Sequence, residues 1–215
     1  MTTPVSRQRL ARRFACTFLP FLVRRQGGAG TREHWEKHPT AAAFEGIDPA
    51  SQVQMDEIMA LAPERNAAIL DLGCNVGRHL AYLHGQGYRN LHGVDWSESA
   101  LRDMAARYPD MHANAMLTRA SFEDFLGAAR EPVDLVYTRG ATFELVHPAF
   151  PLIHHVCRIA KRHAVLVITE AGHAYPRFWE YEFAREGFEL THLRRPASAA
   201  APEHRVSLMT FSRVE

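Results

Sequence analysis

Two carboxylates and a glycine turn are the residues of this chain best suited to hold a ligand. Asp71, Gly73, Asn75 and Gly77 stand in the order Asp-x-Gly-x-Asn-x-Gly, and Asp95 lies twenty-two positions beyond Gly73. The apolar residues Ala68 to Leu70 and Leu72 form a run short enough to predict a buried strand. Gly73 lets the backbone turn sharply and approach a ligand with no Cβ in the way. Asn75 stands where many such loops carry a second glycine, and Asn enters left-handed φ/ψ at modest cost. Leu91-His92-Gly93-Val94-Asp95 predicts a second strand closed by an acid. In a doubly wound sheet, a carboxylate at that place accepts hydrogen bonds from both hydroxyls of a ribose. The chemistry implied is nucleoside binding. A dinucleotide fold would want Gly-x-Gly-x-x-Gly, whereas the positions here read Gly73, Asn75 and Arg78.

Bound ligands sit beyond the carboxyl ends of parallel strands, so acid–base candidates come from those loops. They are Glu144 and His147 after the fourth predicted strand, and Glu170, His173 and Tyr175 after the fifth. The two histidines have the intrinsic pKa for a general base, although thirteen histidines in the chain make coincidence easy. His34 and His38 are spaced to share a helix face as metal ligands, but no third ligand is evident, and a lid or surface helix is the expected role. Cys74 has no basic neighbour and reads as a packing residue.

These residues need a frame of alternating elements. A helix is expected from Asp48 to Leu61, ended by Pro63. From Ala68 onward strands and helices alternate, which predicts a parallel sheet covered on both faces. Helices are predicted at Val76–Gln86, from the Ser97 cap to Tyr108, at Ala149–Ile159 and at Tyr175–Arg185. The remaining strands are predicted near Ala115–Thr118, at Val133–Thr138, Ala164–Thr169, Phe188–Leu193 and Arg205–Phe211. Residues 1–30 read as a basic helical extension and flexible joint, 31–67 as helices capping the site, and 68–215 as the core.

The 215 residues, 47% hydrophobic and 23% charged, suit one globular domain. A net charge of +1 gives no global field toward nucleic acid. Three scattered cysteines provide no disulfide framework and suit a reducing cytoplasm. The first thirty-two residues hold seven arginines and no acid. Within them Phe14 to Val23 is an apolar decamer, too short to span a bilayer. An amphipathic helix packed on the domain is the expectation, with interfacial membrane attachment as the alternative.

The motif Asp71-Leu72-Gly73-Cys74-Asn75-Val76-Gly77, followed by Asp95, resembles the first motif of class I S-adenosylmethionine-dependent methyltransferases. The likeness covers roughly Ala68 to Phe211. It is nearest to small bacterial methyltransferases with Leu-Gly-Cys-Asn-x-Gly and a fourth strand like Asp134-Leu135-Val136-Tyr137-Thr138-Arg139-Gly140, some of them associated with pseudaminic acid biosynthesis. The resemblance implies an α/β, doubly wound Rossmann-like fold, with a seven-stranded, mostly parallel sheet whose last strand runs antiparallel. It implies S-adenosylmethionine as cofactor. Asp71 and Gly73 would face the methionine end, with Asn75 and Gly77 in the same turn. Asp95 would hold the ribose, and Trp96 would lie against the adenine. Phe122 and Glu123 would meet the adenine edge, and Thr138 and Arg139 would lie beneath the sulfonium and the acceptor. Where the relatives show a hydrophobic pair and His, this chain reads Ala141-Thr142-Phe143-Glu144, which leaves the acceptor chemistry open.

Methyl transfer from a sulfonium is an in-line displacement, so positioning supplies most of the acceleration. The Pro-Pro-Tyr sequence of amino-methylating DNA enzymes, the Pro-Cys of cytosine-carbon enzymes and the Asp ligands of catechol-type enzymes are missing. The expectation is metal-independent methylation of O or N on a small metabolite, a sugar or secondary metabolite, in the cytoplasm. Glu144, His147 and His173 are the catalytic candidates. The alternatives are a cofactor-binding protein without turnover, and a methyltransferase that uses its basic N-terminus to reach a lipid-linked acceptor.

Overall fold

A computed structural model describes residues 7–25, 46–129, 131–140, 143, 146–169, 173–195 and 206–214. Helix α1 spans Arg7–Phe18 and is followed by a 3-10 turn, Pro20–Leu22. Then come α2 (Pro49–Leu61), β1 (Ile69–Leu72), α3 (Arg78–Gly85), β2 (Leu91–Asp95), α4 (Glu98–Arg107), α5 (Pro109–Asn114) and β3 (Met116–Arg119). The second half runs α6 (Phe122–Ala128), β4 (Val133–Arg139), α7 (Leu152–Ile159), β5 (Ala160–Thr169), α8 (Trp179–Arg185), β6 (Phe188–Arg194) and β7 (Val206–Arg213).

The seven strands form one sheet in the order β3-β2-β1-β4-β5-β7-β6. Contacts from β3 through β5 are parallel, and β7 runs antiparallel to both β5 and β6. Side chains alternate across a strand, and each central strand feeds two separate cores. Leu70, Leu72, Val136, Leu166 and Ile168 face one core, which is closed by Leu126 of α6, Val156 of α7 and Phe183 of α8. Ile69, Leu135, Tyr137, Val165 and Val167 face the other, closed by Met55 and Ile58 of α2, Leu80 of α3 and Met104 of α4. Three layers result, with the sheet in the middle. This is the doubly wound sheet that the alternating pattern predicts, including the reversed last strand.

The departures from the expected elements are local. α3 starts at Arg78, not Val76, because Gly77 before it has φ 78° and cannot be helical. α8 starts at Trp179, not Tyr175, as Pro176 disfavours a helical residue before it. β5 begins at Ala160, four residues early, because Ala160 pairs with Val133 at the foot of β4. A short helix, α5, opens at Pro109, where a proline needs no N–H partner. The proposed joint at 26–30 and the His34/His38 pair lie outside the described residues.

Candidate active site

The turn after β1 is pulled down onto β2. Gly73 and Cys74 both donate their N–H groups to the Val94 carbonyl, at 2.9 and 3.0 Å. Gly73 (φ 95°), Asn75 (φ 48°) and Gly77 (φ 78°) alternate through left-handed conformations, and Asn75 is the one non-glycine residue to do so among the described residues. The backbone folds into a tight cradle at the N-terminus of α3, where the positive end of the helix dipole favours an anionic or polar ligand.

Asp95 fixes that cradle from the side. Its two oxygens accept N–H bonds from Asn75 (2.8 Å) and Ser97 (2.9 Å), so one carboxylate joins the β1 turn to the cap of α4. Burial raises its pKa, and the N–H donors of Ser97, Asn75 and Trp96 oppose that shift. Asp71 is more deeply placed. Tyr137 of β4 donates its hydroxyl to Asp71 Oδ2 at 2.8 Å. Burial outweighs that bond and pushes the Asp71 carboxyl up to about 7, with the charge of Asp95 adding to the rise and Arg78 opposing it. A buried carboxyl poised near neutrality is suited to meet a cation.

A polar cluster that sequence reasoning missed holds α2 across the carboxyl ends of the sheet. Asp48 caps α2, accepting from the N–H groups of Ala50 and Ser51, both at 3.0 Å. The same carboxylate binds Arg78 of α3 at 3.2 Å and Arg139 of β4 at 3.0 Å. Burial alone would raise Asp48, but the Ser51 N–H, Arg139 and Arg78 together hold it well below the usual carboxylate range. Gln54 donates to the Thr138 carbonyl at 2.9 Å, a second strut from α2 to β4. Ser51 and His79 meet at 2.9 Å, yet they are no nucleophile and base. The Ser51 proton goes to Asp48 at 2.8 Å, and burial with Arg78 and Arg139 nearby drives His79 down to about 3. Asp48-Pro49, a capping acid before a proline, was the one legible signal for this cluster.

Other expected positions resolve unevenly. Thr138 is buried and spends its hydroxyl on the Leu72 carbonyl at 2.7 Å, tying β4 to β1. Arg139 reaches Asp48 and Ser51. Phe122 lies in the core and Trp96 packs half-buried against the same cluster, while Glu123 sits half-buried in the first turn of α6. Glu144 and Glu170 lie outside the described residues.

The two histidines share one feature. Tyr175 donates its N–H to His173 Nδ1 at 3.0 Å, and Ala149 donates to His147 Nδ1 at 3.2 Å. Both rings therefore carry their proton on Nε2 when neutral. His147 donates it to the Val23 carbonyl at 2.8 Å. Burial, with Arg177 and Arg12 nearby, pushes His173 down to about 3, and its Nε2 finds no partner among the described residues. In this arrangement neither ring offers a free lone pair to a substrate. Among the described residues no three His, Cys, Asp or Glu side chains gather to hold a metal ion.

The methyltransferase domain family matches residues 69–163, which span the Asp71 cradle, Asp95 and the foot of β5. Residues 69–163 thus resemble a methyltransferase domain. The chain superposes on solved structures at low identity. A TehB-like S-adenosylmethionine-dependent methyltransferase from Corynebacterium glutamicum has a TM-score of 0.61 and 20% identity, covering 85% of this chain and 95% of that one. Magnesium protoporphyrin IX methyltransferase from Synechocystis, with bound S-adenosylhomocysteine, gives 0.62 and 12%, covering 96% and 100%. The cyclase SpnF gives 0.57 and 11%, covering 76% and 80%. The fold is thus that of class I S-adenosylmethionine-dependent methyltransferases. No curated protein matches the chain in sequence. The narrower resemblance to pseudaminic acid enzymes gains no support from these relatives.

The residues present fit S-adenosylmethionine. They offer a positive-φ cradle, a buried carboxyl near neutrality for an ammonium group, and a second carboxylate one strand away for a ribose.

Proposed function

We propose that this methyltransferase binds S-adenosylmethionine between the β1 turn and Asp95 and passes its methyl group to O or N of a small-molecule metabolite without a metal. The observation that carries the reading is the placement of Asp71 and Asp95 on the adjacent parallel strands β1 and β2, with Asp95 bonded to the Asn75 turn. When bound, the cofactor supplies an electrophilic methyl on a leaving group that is already activated. The chain's own residues hold and orient: Asp71 faces the ammonium, Asp95 the ribose hydroxyls, and Gly73 and Gly77 keep the backbone close. Trp96, Phe122 and Glu123 border the adenine, and Thr138 and Arg139 support the acceptor side. Orientation of acceptor and methyl accounts for on the order of 7–11 kcal/mol of barrier in well-aligned systems. With His147 and His173 committed as they are, the candidates left for a base are Glu144, Glu170 and Tyr175, or a histidine released by acceptor binding.

Calorimetric titration with S-adenosylmethionine and with S-adenosylhomocysteine tests the cofactor site. Turnover of labelled S-adenosylmethionine on a metabolite extract tests the acceptor class, and transfer to protein or nucleic acid alone would refute it. A second reading, a binding protein without turnover, is favoured by the engagement of both histidine Nδ1 atoms with backbone N–H groups. Cofactor binding with no methyl transfer to any extract fraction would select it.

A further inference from the structure

Helix α1 is built the wrong way round for a helix that only covers a core. A surface helix normally buries its apolar stripe and shows its polar face to water. Here the docked face is largely polar. Arg12 donates to the Ala174 carbonyl (2.8 Å), Arg13 to the Arg177 carbonyl (3.0 Å), and Thr17 Oγ1 accepts the Phe178 N–H (3.0 Å). Leu10, Phe14 and Phe18 are spaced four apart, so they form one stripe along α1. Phe18 packs against Phe178 and Tyr181, but the rest faces outward: Leu10 and Phe14 are each 51% exposed, and beyond the helix Phe21 and Leu22 are 74% and 65% exposed. Of the ten large apolar side chains exposed among the described residues, six lie between Leu10 and Leu22. Scattered exposed apolar residues need no explanation, but a contiguous patch does.

The charge around the patch says what covers it. Residues 7–25 contain six arginines and no acid, and Arg7, Arg24 and Arg25 are exposed at its two ends. Basic residues flanking an aromatic, apolar stripe match an anionic headgroup layer over acyl chains. A second copy of the same face would bring the flanking Arg7, Arg24 and Arg25 of two chains together, which repel. No helix of the described residues is long and apolar enough to cross a membrane, so contact would be interfacial. We propose that α1 and the 3-10 turn after it are an interfacial anchor for an anionic lipid surface. The anchor is seated on residues 174–178, just after β5, and holds that side of the sheet next to the lipid. The proposal does not depend on the identity of the methyl acceptor.

The test is co-sedimentation of the full chain with vesicles of equimolar phosphatidylcholine and phosphatidylserine, compared with phosphatidylcholine alone. Binding to the mixed vesicles is expected to be at least about tenfold tighter than to the neutral ones, and to weaken with added salt. F21S combined with L22S should weaken it by about tenfold or more, because two exposed side chains lose their burial in the interface. R24Q combined with R25Q should weaken binding to the mixed vesicles and leave the neutral ones unaffected. All four side chains are exposed, so thermal unfolding should not change; if the Phe21/Leu22 variant misfolds, the arginine variant carries the test. Failure to sediment with the mixed vesicles overturns the proposal, as does binding that ignores both variants. A dimer that dissociates on F21S/L22S, without vesicle binding, also overturns it in favour of self-association.

Discussion

At the scale of single residues, Asp71 carries opposed demands. Its carboxyl is held near 7 in the folded chain against an ordinary value of 3.8, chiefly by burial. Between those values the native state keeps a proton that the unfolded chain has lost, so this group's contribution to stability falls as pH rises from about 4 to about 7. At pH 8 the penalty is at most about 4 kcal/mol, from about three units at 1.4 kcal/mol each. Asp71→Asn retains an acceptor for Tyr137 and removes the buried charge. It should unfold at a higher temperature than the wild type at pH 8, with the gap narrowing toward pH 4, while binding S-adenosylmethionine at least about tenfold more weakly. The wild-type affinity should itself decline below pH 7, since the carboxyl must release its proton to meet the ammonium. Calorimetry across pH, and scanning calorimetry of both forms, checks these outcomes. Asp95→Ala should likewise cost at least about tenfold in cofactor affinity, by removing hydrogen bonds to the ribose and releasing the Asn75 N–H that shapes the turn. Unchanged affinity in a folded Asp95→Ala protein would sink the assignment. The positions of Asp71, Asn75 and Asp95 were legible in sequence because turn geometry restricts residue type there. The bonds from Tyr137 to Asp71 and from Thr138 to the Leu72 carbonyl were not, since a tyrosine or threonine in a buried strand reads only as packing.

At the scale of elements, the strands and helices around the cradle followed from hydrophobic period and from caps such as Ser97, whose Oγ accepts the Ala100 N–H at 3.2 Å. Element ends were harder to place, because Gly77, Pro176 and the Ala160–Val133 pairing act through backbone geometry and strand partners. Beyond the Asp48-Pro49 cap, the attachment of α2 was not legible, as it joins Asp48, Arg78 and Arg139 from three separate segments. Asp48 works as a cap and as the shared partner of two arginines. Loss of the cap alone costs about 0.5–2 kcal/mol, and the half-exposed ion pairs add little to that. Asp48→Ala should therefore lower the unfolding temperature by several degrees and, by loosening α2 over the β1 and β4 ends, weaken cofactor binding as well. The folded-state pKa of Asp48 lies well below its ordinary value. Its contribution is full above about pH 4 and is lost as pH falls below that. The difference between wild type and Asp48→Ala should shrink on acidification, and denaturant melts at pH 7 and pH 3 measure this directly.

At the scale of the whole molecule, the two cores on either side of the sheet make the described residues from 46 onward one packed unit, whereas α1 is attached differently. Its contacts with the domain run through Arg12, Arg13, Cys16 and Thr17, and little apolar area is buried there apart from the aromatic contacts of Phe18 with Phe178 and Tyr181. Elements with few buried apolar contacts open at lower free energy than the global transition. Three buried free thiols report on this independently: Cys16 in α1, Cys74 in the cradle and Cys157 in α7 against the core. Burial raises the pKa of all three thiols, so each reacts only on opening. Timed alkylation followed by peptide mass spectrometry should label Cys16 first and Cys157 only at the global unfolding rate. Addition of S-adenosylmethionine should slow Cys74, by closing the turn that carries it, and leave Cys16 unchanged. If Cys16 and Cys157 react at one rate, α1 unfolds with the core. The polar face of the helix would then be as firm an attachment as the apolar layers, against the reading of α1 as a separately docked element.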